Sequence, residues 1–273
     1  MSTTGAIDLT CLPFTPTTKE GAYQHPGQKS VLQRLGIWDK PSTADDLVQA
    51  MDAAGVDKLI VPAQAGNEWD IPWEIPAEMA LKHPGRLYAV QSVNPSNISR
   101  GLRSLEEASK APGFVGAHSY PHWWRLAPDD RVYYPFYAKC QELGVPIQIQ
   151  VGQAFQNNLY NVGHPSTIDR IAVDFPELPI IGLHVGYPWE REMVAVSWKH
   201  PNVYIALDTH HPSSWSSDVT DFIRGDGATK VMFATNYPIL DFADALSGIA
   251  DLKFGDETEQ LVLRGNAERV YRF

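Results

Sequence analysis

The sequence predicts one α/β domain, a (β/α)8 barrel over residues 1–273, from three observations. Eight short apolar runs recur along the chain, helical patterns separate them, and the length suits eight such repeats closing on themselves. "GAIDLTCL" (5–12) is the first strand. "TADDLVQAMDAAG" (43–55) follows as a helix, opened by an N-cap Thr43 and closed by Gly55. "DKLIVPAQ" (57–64), "RLYAVQSVNP" (86–95) and "GFVGAHSY" (113–120) are the next three strands. "FYAKCQELG" (136–144) is a helix that stops at a glycine, and "VPIQIQVG" (145–152) is the fifth strand. "STIDRIAVDFP" (166–176) is a helix stopped by proline. "LPIIGLHVG" (178–186), "NVYIALDT" (202–209) and "KVMFATNYP" (230–238) complete the eight. A doubly wound open sheet is the competing arrangement. It would carry a glycine-rich phosphate turn after its first strand, and "IDLTCLPFTP" has none.

Two long excursions interrupt the alternation. "GAYQHPGQKSVLQRLG" (21–36) follows the first strand and "QAGNEWDIPWEIP" (64–76) the second. In a barrel both lie over the C-terminal mouth, where active sites are built. No linker, internal repeat or low-complexity segment divides the chain.

Composition narrows the partners. The formal charge of −10 argues against non-specific nucleic-acid binding, which needs a basic surface, and disfavours anionic membranes. No apolar run is long enough to span a bilayer, and "MSTTGAIDLTC" lacks the pattern of a signal peptide. Two distant cysteines, Cys11 and Cys140, read as reduced core residues of a cytoplasmic protein.

Barrel chemistry comes from polar side chains at the C-terminal ends of strands. Here these are Asp8, Thr10, Gln64, Gln91, Asn94, His118, Tyr120, Gln150, His184, Asp208, His210, His211 and Asn236. Gln148 and Gln150 alternate with apolar residues and share one side of their strand. Polar residues on a buried strand need partners: each other, water or a ligand. His184 is the leading candidate, because it ends a wholly apolar strand and "VGYPWE" follows it. A structural role competes at His118, His210, His211 and His122. His25, His83, His164 and His200 each precede a turn or proline and read as structural. Asp8 reads as a hydrogen-bond acceptor that orders the end of the first strand. There is no HxH, HExxH, calcium loop or GxSxG elbow. A Cys–His pair through Cys11 stays open, with nothing local to support it.

Several stretches together resemble the amidohydrolase-related family, in the branch of the aminocarboxymuconate-semialdehyde decarboxylase-like enzymes. These are "WEIPAEMALKHPGRLYAVQSVNP" (73–95), "APDDRVYYPFYAKCQELGVPI" (127–147), "GHPSTIDRIAVDFPELPIIGLHVGYPWEREM" (163–193), "WKHPNVYIALDT" (198–209), "FATNYP" (233–238) and "GNAERVYRF" (265–273). The resemblance implies a barrel hydrolase or non-oxidative decarboxylase, often dimeric and often holding one divalent metal. It also implies where the metal ligands belong, and there this chain departs. Thr10 and Leu12 stand where two histidines are usual, Gln150 where a third is, and Asn236 where an aspartate is. His118 takes a position that holds lysine in some relatives. His184 matches the family's acid–base histidine.

The expectation is therefore no metal and no cofactor. His184, His118 and Asn236 are the catalytic candidates, since imidazoles move protons and amides steady developing charge. Thr10, Tyr120, Gln150, Trp73, Trp123, Arg125 and His210 are the substrate-binding candidates. Trp69 and Trp124 lie in the same loops, and packing of a lid competes with substrate contact for all four tryptophans. Arg125 is the expected carboxylate anchor. The expected activity is hydrolysis of a small aromatic, carboxylate or lactone substrate. Decarboxylation or other C–C cleavage is the alternative. A silent subunit beside a metal-containing paralogue, or a ligand-binding barrel, is the reading without catalysis. A homodimer, or a heteromer with a related subunit, is the expected assembly.

Overall fold

A computed structural model describes residues 5–155, 159 and 161–273. The eight expected strands are all present: β1 (Ala6–Asp8), β2 (Val56–Pro62), β3 (Leu87–Ser92), β4 (Phe114–Ser119), β5 (Ile147–Gln150), β6 (Ile180–Leu183), β7 (Val203–Ala206) and β8 (Val231–Met232). They form one parallel sheet in chain order, curled into a TIM-type barrel.

The expected helices form for the expected reasons. Ala44–Ala54 opens on a capping box, with Asp46 N donating to Thr43 Oγ1 at 3.2 Å and Thr43 N to Asp46 Oδ2 at 2.9 Å. It closes on Gly55 at φ 84°, a left-handed position where glycine carries no Cβ penalty. Tyr134–Leu143 ends in the same way on Gly144, and Ser166–Asp174 stops just before Pro176.

One apolar cluster fills the space between strands and helices, including Leu59, Ile147, Ile149, Phe136 and Ile171. A second gathers Ile7, Leu9, Ile60, Ile181, Leu183 and Met232 with Tyr271 of the last helix. Gln148 belongs to this second layer. Its amide donates to Leu9 O at 2.7 Å and to Tyr271 Oη at 2.9 Å, so the buried polar side chain is satisfied by protein.

The seam between β1 and β8 carries no regular ladder. Leu9 N donates to Phe233 O at 3.3 Å, Asn236 N to Thr10 O at 3.0 Å and Leu12 N to Tyr237 O at 2.7 Å. Asp8 reinforces the seam. Its carboxylate, fully buried, accepts from Thr10 N and Thr235 N at 3.1 Å each and from Thr235 Oγ1 at 2.6 Å. The expectation that Asp8 orders the end of its strand is met.

The first excursion folds into two helices, Pro16–Glu20 and Pro26–Arg34. The second makes a short antiparallel pair, Gln64–Ala65 with Asp70–Ile71. Phe14, Tyr23, Leu32, Ile37, Trp69 and Ile71 pack them into a small core of their own. Cys11 and Cys140 are free and fully buried. Burial pushes both thiols up, and the nearby Asp8 adds to this at Cys11, whose Sγ faces Ile60 O. A nucleophilic thiolate there does not fit. Among the described residues, no helix is long and apolar enough to cross a membrane.

Candidate active site

A cavity of about 690 Å³ opens at the C-terminal ends of the strands. Five of the ten sequence-derived candidates line it: Tyr120, Gln150, His184, His210 and Asn236. The other five do not. Thr10 is buried at the seam, where its carbonyl holds Asn236 N. His118 is buried beside Gln148, with Nδ1 3.2 Å from Oε1. Burial holds the His118 imidazole down to about 4, against the opposing Gln148 contact, so it is neutral at ordinary pH and is not a second titrating group. Trp73 lines a separate, more polar cleft and packs against Phe114. Trp123 packs edge-on against Trp69 at 4.9 Å, a lid contact. Arg125 is exposed at the end of the turn Pro121–Trp124, away from the cavity wall.

The chemistry centres on two strand ends that meet. β6 ends at His184 and the chain after β7 reaches Asp208. His184 Nδ1 lies 2.6 Å from Asp208 Oδ2, and His184 N donates to Asp208 Oδ1 at 2.5 Å. Asp208 is fully buried. Burial pushes its carboxyl up, but the adjacent His184 and the hydrogen bonds from His184 and Thr209 outweigh this, so it is held below the usual range. It therefore stays a carboxylate and accepts a hydrogen bond from the Nδ1–H of His184. That leaves Nε2 of His184 for the cavity.

Thr209 and Asn236 extend the pair. Thr209 Oγ1 donates to Asp208 Oδ2 at 3.1 Å and lies 2.9 Å from His184 Nδ1. Asn236 Nδ2 donates to Thr209 Oγ1 at 3.3 Å. The backbone is bent to achieve this. His184, Val185, Thr209 and Asn236 sit at φ 64°, 58°, 71° and 56°. For Val185 and Thr209, both β-branched, that region is costly, of order 1–3 kcal/mol each, and it persists only where the surroundings impose it. Strain of this kind concentrates at functional sites.

The side chains at this wall are weak donors for a divalent metal ion. Leu12 lines the cavity and has no donor atom. Gln150 buries its amide oxygen without a partner, and the Asn236 amide is committed to Thr209. Among the described residues, no three His, Cys, Asp or Glu side chains are grouped to hold a metal ion.

Three residues escaped the sequence reading of the site. Asp208 was noted at a strand end without a role, and Thr209 was not considered. Arg34 closes the helix Pro26–Arg34 at the cavity wall and is the one Lys or Arg among the described lining residues. Its guanidinium donates to Phe155 O at 2.9 Å and lies 6.0 Å from the Phe155 ring centre. Arg125, where a cation was expected, does not line the cavity. His210 lies 4.7 Å, ring to ring, from Tyr187 on the same wall, and burial followed by the charge of His184 lowers its proton affinity.

Residues 25–273 match the sequence profile of the amidohydrolase family. The chain belongs to that family. A curated relative is 2-keto-4-carboxy-3-hexenedioate hydratase of Sphingobium sp. (strain NBRC 103272 / SYK-6), 26% identical over 213 residues. The match covers 64% of this chain and spans 62% of that protein's length. Among solved structures, an uncharacterised TIM-barrel protein from Bordetella bronchiseptica superposes with a TM-score of 0.84 at 21% identity, covering 97% of this chain and 98% of the other. The 5-carboxyvanillate decarboxylase of Sphingomonas paucimobilis superposes with a TM-score of 0.76 at 17% identity, covering 99% of this chain and all (100%) of the other. At such identities the structural likeness establishes the barrel and no more.

Proposed function

We propose that this amidohydrolase-family barrel is a metal-independent enzyme that uses the His184–Asp208 pair for acid–base chemistry on a small, carboxylate-bearing aromatic or lactone substrate. The observation that carries the reading is the 2.6 Å contact between His184 Nδ1 and a fully buried carboxylate, at the wall of a substrate-sized cavity. A histidine so held has its tautomer and ring orientation fixed, as a general base requires.

For hydrolysis, Nε2 of His184 takes a proton from water as the water attacks the substrate carbonyl. Asp208 meets the charge that forms on the ring. The developing oxyanion lies against cavity donors, with Tyr120 and the Gln150 amide as the candidates. His184 then returns its proton to the leaving oxygen. Arg34 at the wall supplies the positive charge that a substrate carboxylate needs. His210 and Tyr187, rings tilted 39° to one another, offer aromatic surface to a flat ring.

A second reading is lyase chemistry, in which His184 protonates carbon as a C–C bond breaks or moves a proton during hydration. It is favoured by the names of the relatives, a hydratase and a decarboxylase. Both readings put the proton on the same nitrogen. A panel of lactones, esters and hydroxy-aromatic acids, assayed with metal-stripped protein, separates them by product. His184→Ala is expected to abolish turnover with the fold intact. Near-normal turnover in that variant overturns the acid–base role, and activity that depends on added Mn²⁺ or Zn²⁺ overturns metal independence.

A further inference from the structure

We propose that Asn236 is a positioning residue for the His184–Asp208 pair, and that the site requires an amide there because its hydrogen bonds run in one direction. The inference rests on the acid–base reading above and deepens it.

The direction follows from counting protons. Asp208 is a carboxylate and only accepts. The Thr209 hydroxyl has one proton and gives it to Asp208 Oδ2 at 3.1 Å. Its oxygen must therefore accept in its other contacts, at 2.9 Å from His184 Nδ1 and 3.3 Å from Asn236 Nδ2. That fixes the Asn236 amide, with Nδ2 on Thr209. The chain thus runs from Asn236 to Thr209 to Asp208.

A carboxylate at 236 has no proton to give. Thr209 would then either turn its hydroxyl to residue 236 and leave Asp208, or hold its oxygen against a like-charged oxygen. Both outcomes add negative charge two contacts from the His184 ring and favour its protonated form. The exchange of Asn for Asp is otherwise quiet. Both residues tolerate the left-handed backbone found at φ 56°, and the main chain is fixed independently by Asn236 N to Thr10 O and Ile239 N to Asn236 O, each 3.0 Å.

The test is an NMR titration of the His184 imidazole in the whole protein. The titratable groups coupled to the charge of His184 are Asp208, His210, His118 and His122, Asp8 is coupled in turn to Asp208, and Tyr120 and Tyr187 share the cavity wall. All are unchanged in the variants used. Asn236→Asp is expected to raise the proton affinity of His184 at least tenfold. Thr209→Val is expected to raise it less, and Thr209→Ser to keep the parent value, since serine restores the hydroxyl. An Asn236→Asp midpoint within twofold of the parent overturns the proposal. So does identical behaviour of Thr209→Ser and Thr209→Val, which also decides the matter should Asn236→Asp fail to fold. Uptake of one Mn²⁺ or Zn²⁺ per chain by Asn236→Asp, read by elemental analysis, overturns it as well. The titration needs no turnover. A failure of the acid–base reading, seen as full activity in His184→Ala, is therefore distinguishable from a failure here.

Discussion

Asp8 gives the seam of the barrel a pH dependence that one substitution isolates. Burial raises its carboxyl from 3.8 to about 7, although the Thr235 hydroxyl and the Thr10 and Thr235 amides favour the charged form. In the unfolded chain the same group ionises near 3.8. Between these values the folded protein holds a proton that the unfolded chain has lost. Stability therefore falls as pH rises from about 4 to 7 and is level above that. A displacement of about 3 pH units corresponds to about 4 kcal/mol for a fully buried group. Asp8→Asn removes the titration and keeps one oxygen for the Thr10 and Thr235 amides. At acid pH it is expected to cost about 1–2 kcal/mol, because its Nδ2 replaces the acceptor of the Thr235 hydroxyl. The difference between variant and parent should then move by about 3 kcal/mol in favour of the variant between pH 4.5 and pH 8. Urea unfolding at several pH values measures this, and all other titrating groups cancel in the difference. A difference that stays constant within about 1 kcal/mol across that range refutes the reasoning.

Other perturbations separate the roles in the site. Asp208→Asn leaves the imidazolium without its carboxylate and is expected to lower kcat by about 10²–10⁴-fold, read by steady-state kinetics on whichever substrate the panel identifies. Arg34→Gln is expected to raise KM for carboxylate substrates about tenfold with kcat unchanged, while Arg125→Gln changes neither, because only Arg34 lies at the cavity wall. His118→Gln is expected to leave the midpoints of the pH–rate profile between pH 5 and 9 in place, since burial already keeps that ring neutral down to about pH 4.

The fold was legible because its signals are local. Strand runs, the Thr43 cap and the terminal glycines act within a few residues, and they placed eight strands in the observed order. The strand-end rule also brought His184, Gln150, Tyr120, His210 and Asn236 to the cavity wall, because each stands at or just past the C-terminal end of its strand. Loop residues were another matter. Trp73, Trp123 and Arg125 stand in segments whose paths depend on packing between excursions, as in the Trp69–Trp123 contact, and no periodicity reports that. Arg34 had a usable signal: a cation in an excursion already expected to cover the mouth.

Asp208 and Thr209 mark a different limit. The sequence "ALDTHH" shows an acid at the end of an apolar strand, yet its partner lies 24 residues away on the neighbouring strand. Thr209 is harder still, since a β-branched residue gives no warning that it will adopt φ 71°. Read alone, Asn236 looked like a lost ligand, because the family pattern offers an aspartate there. Only the spatial order of donors and acceptors gives the amide a purpose. Asp208 needs a proton donated by Thr209, and that oxygen then accepts one from Asn236. A one-atom change that reads as decay along the chain thus supplies, in three dimensions, the proton that the site's hydrogen-bond order demands.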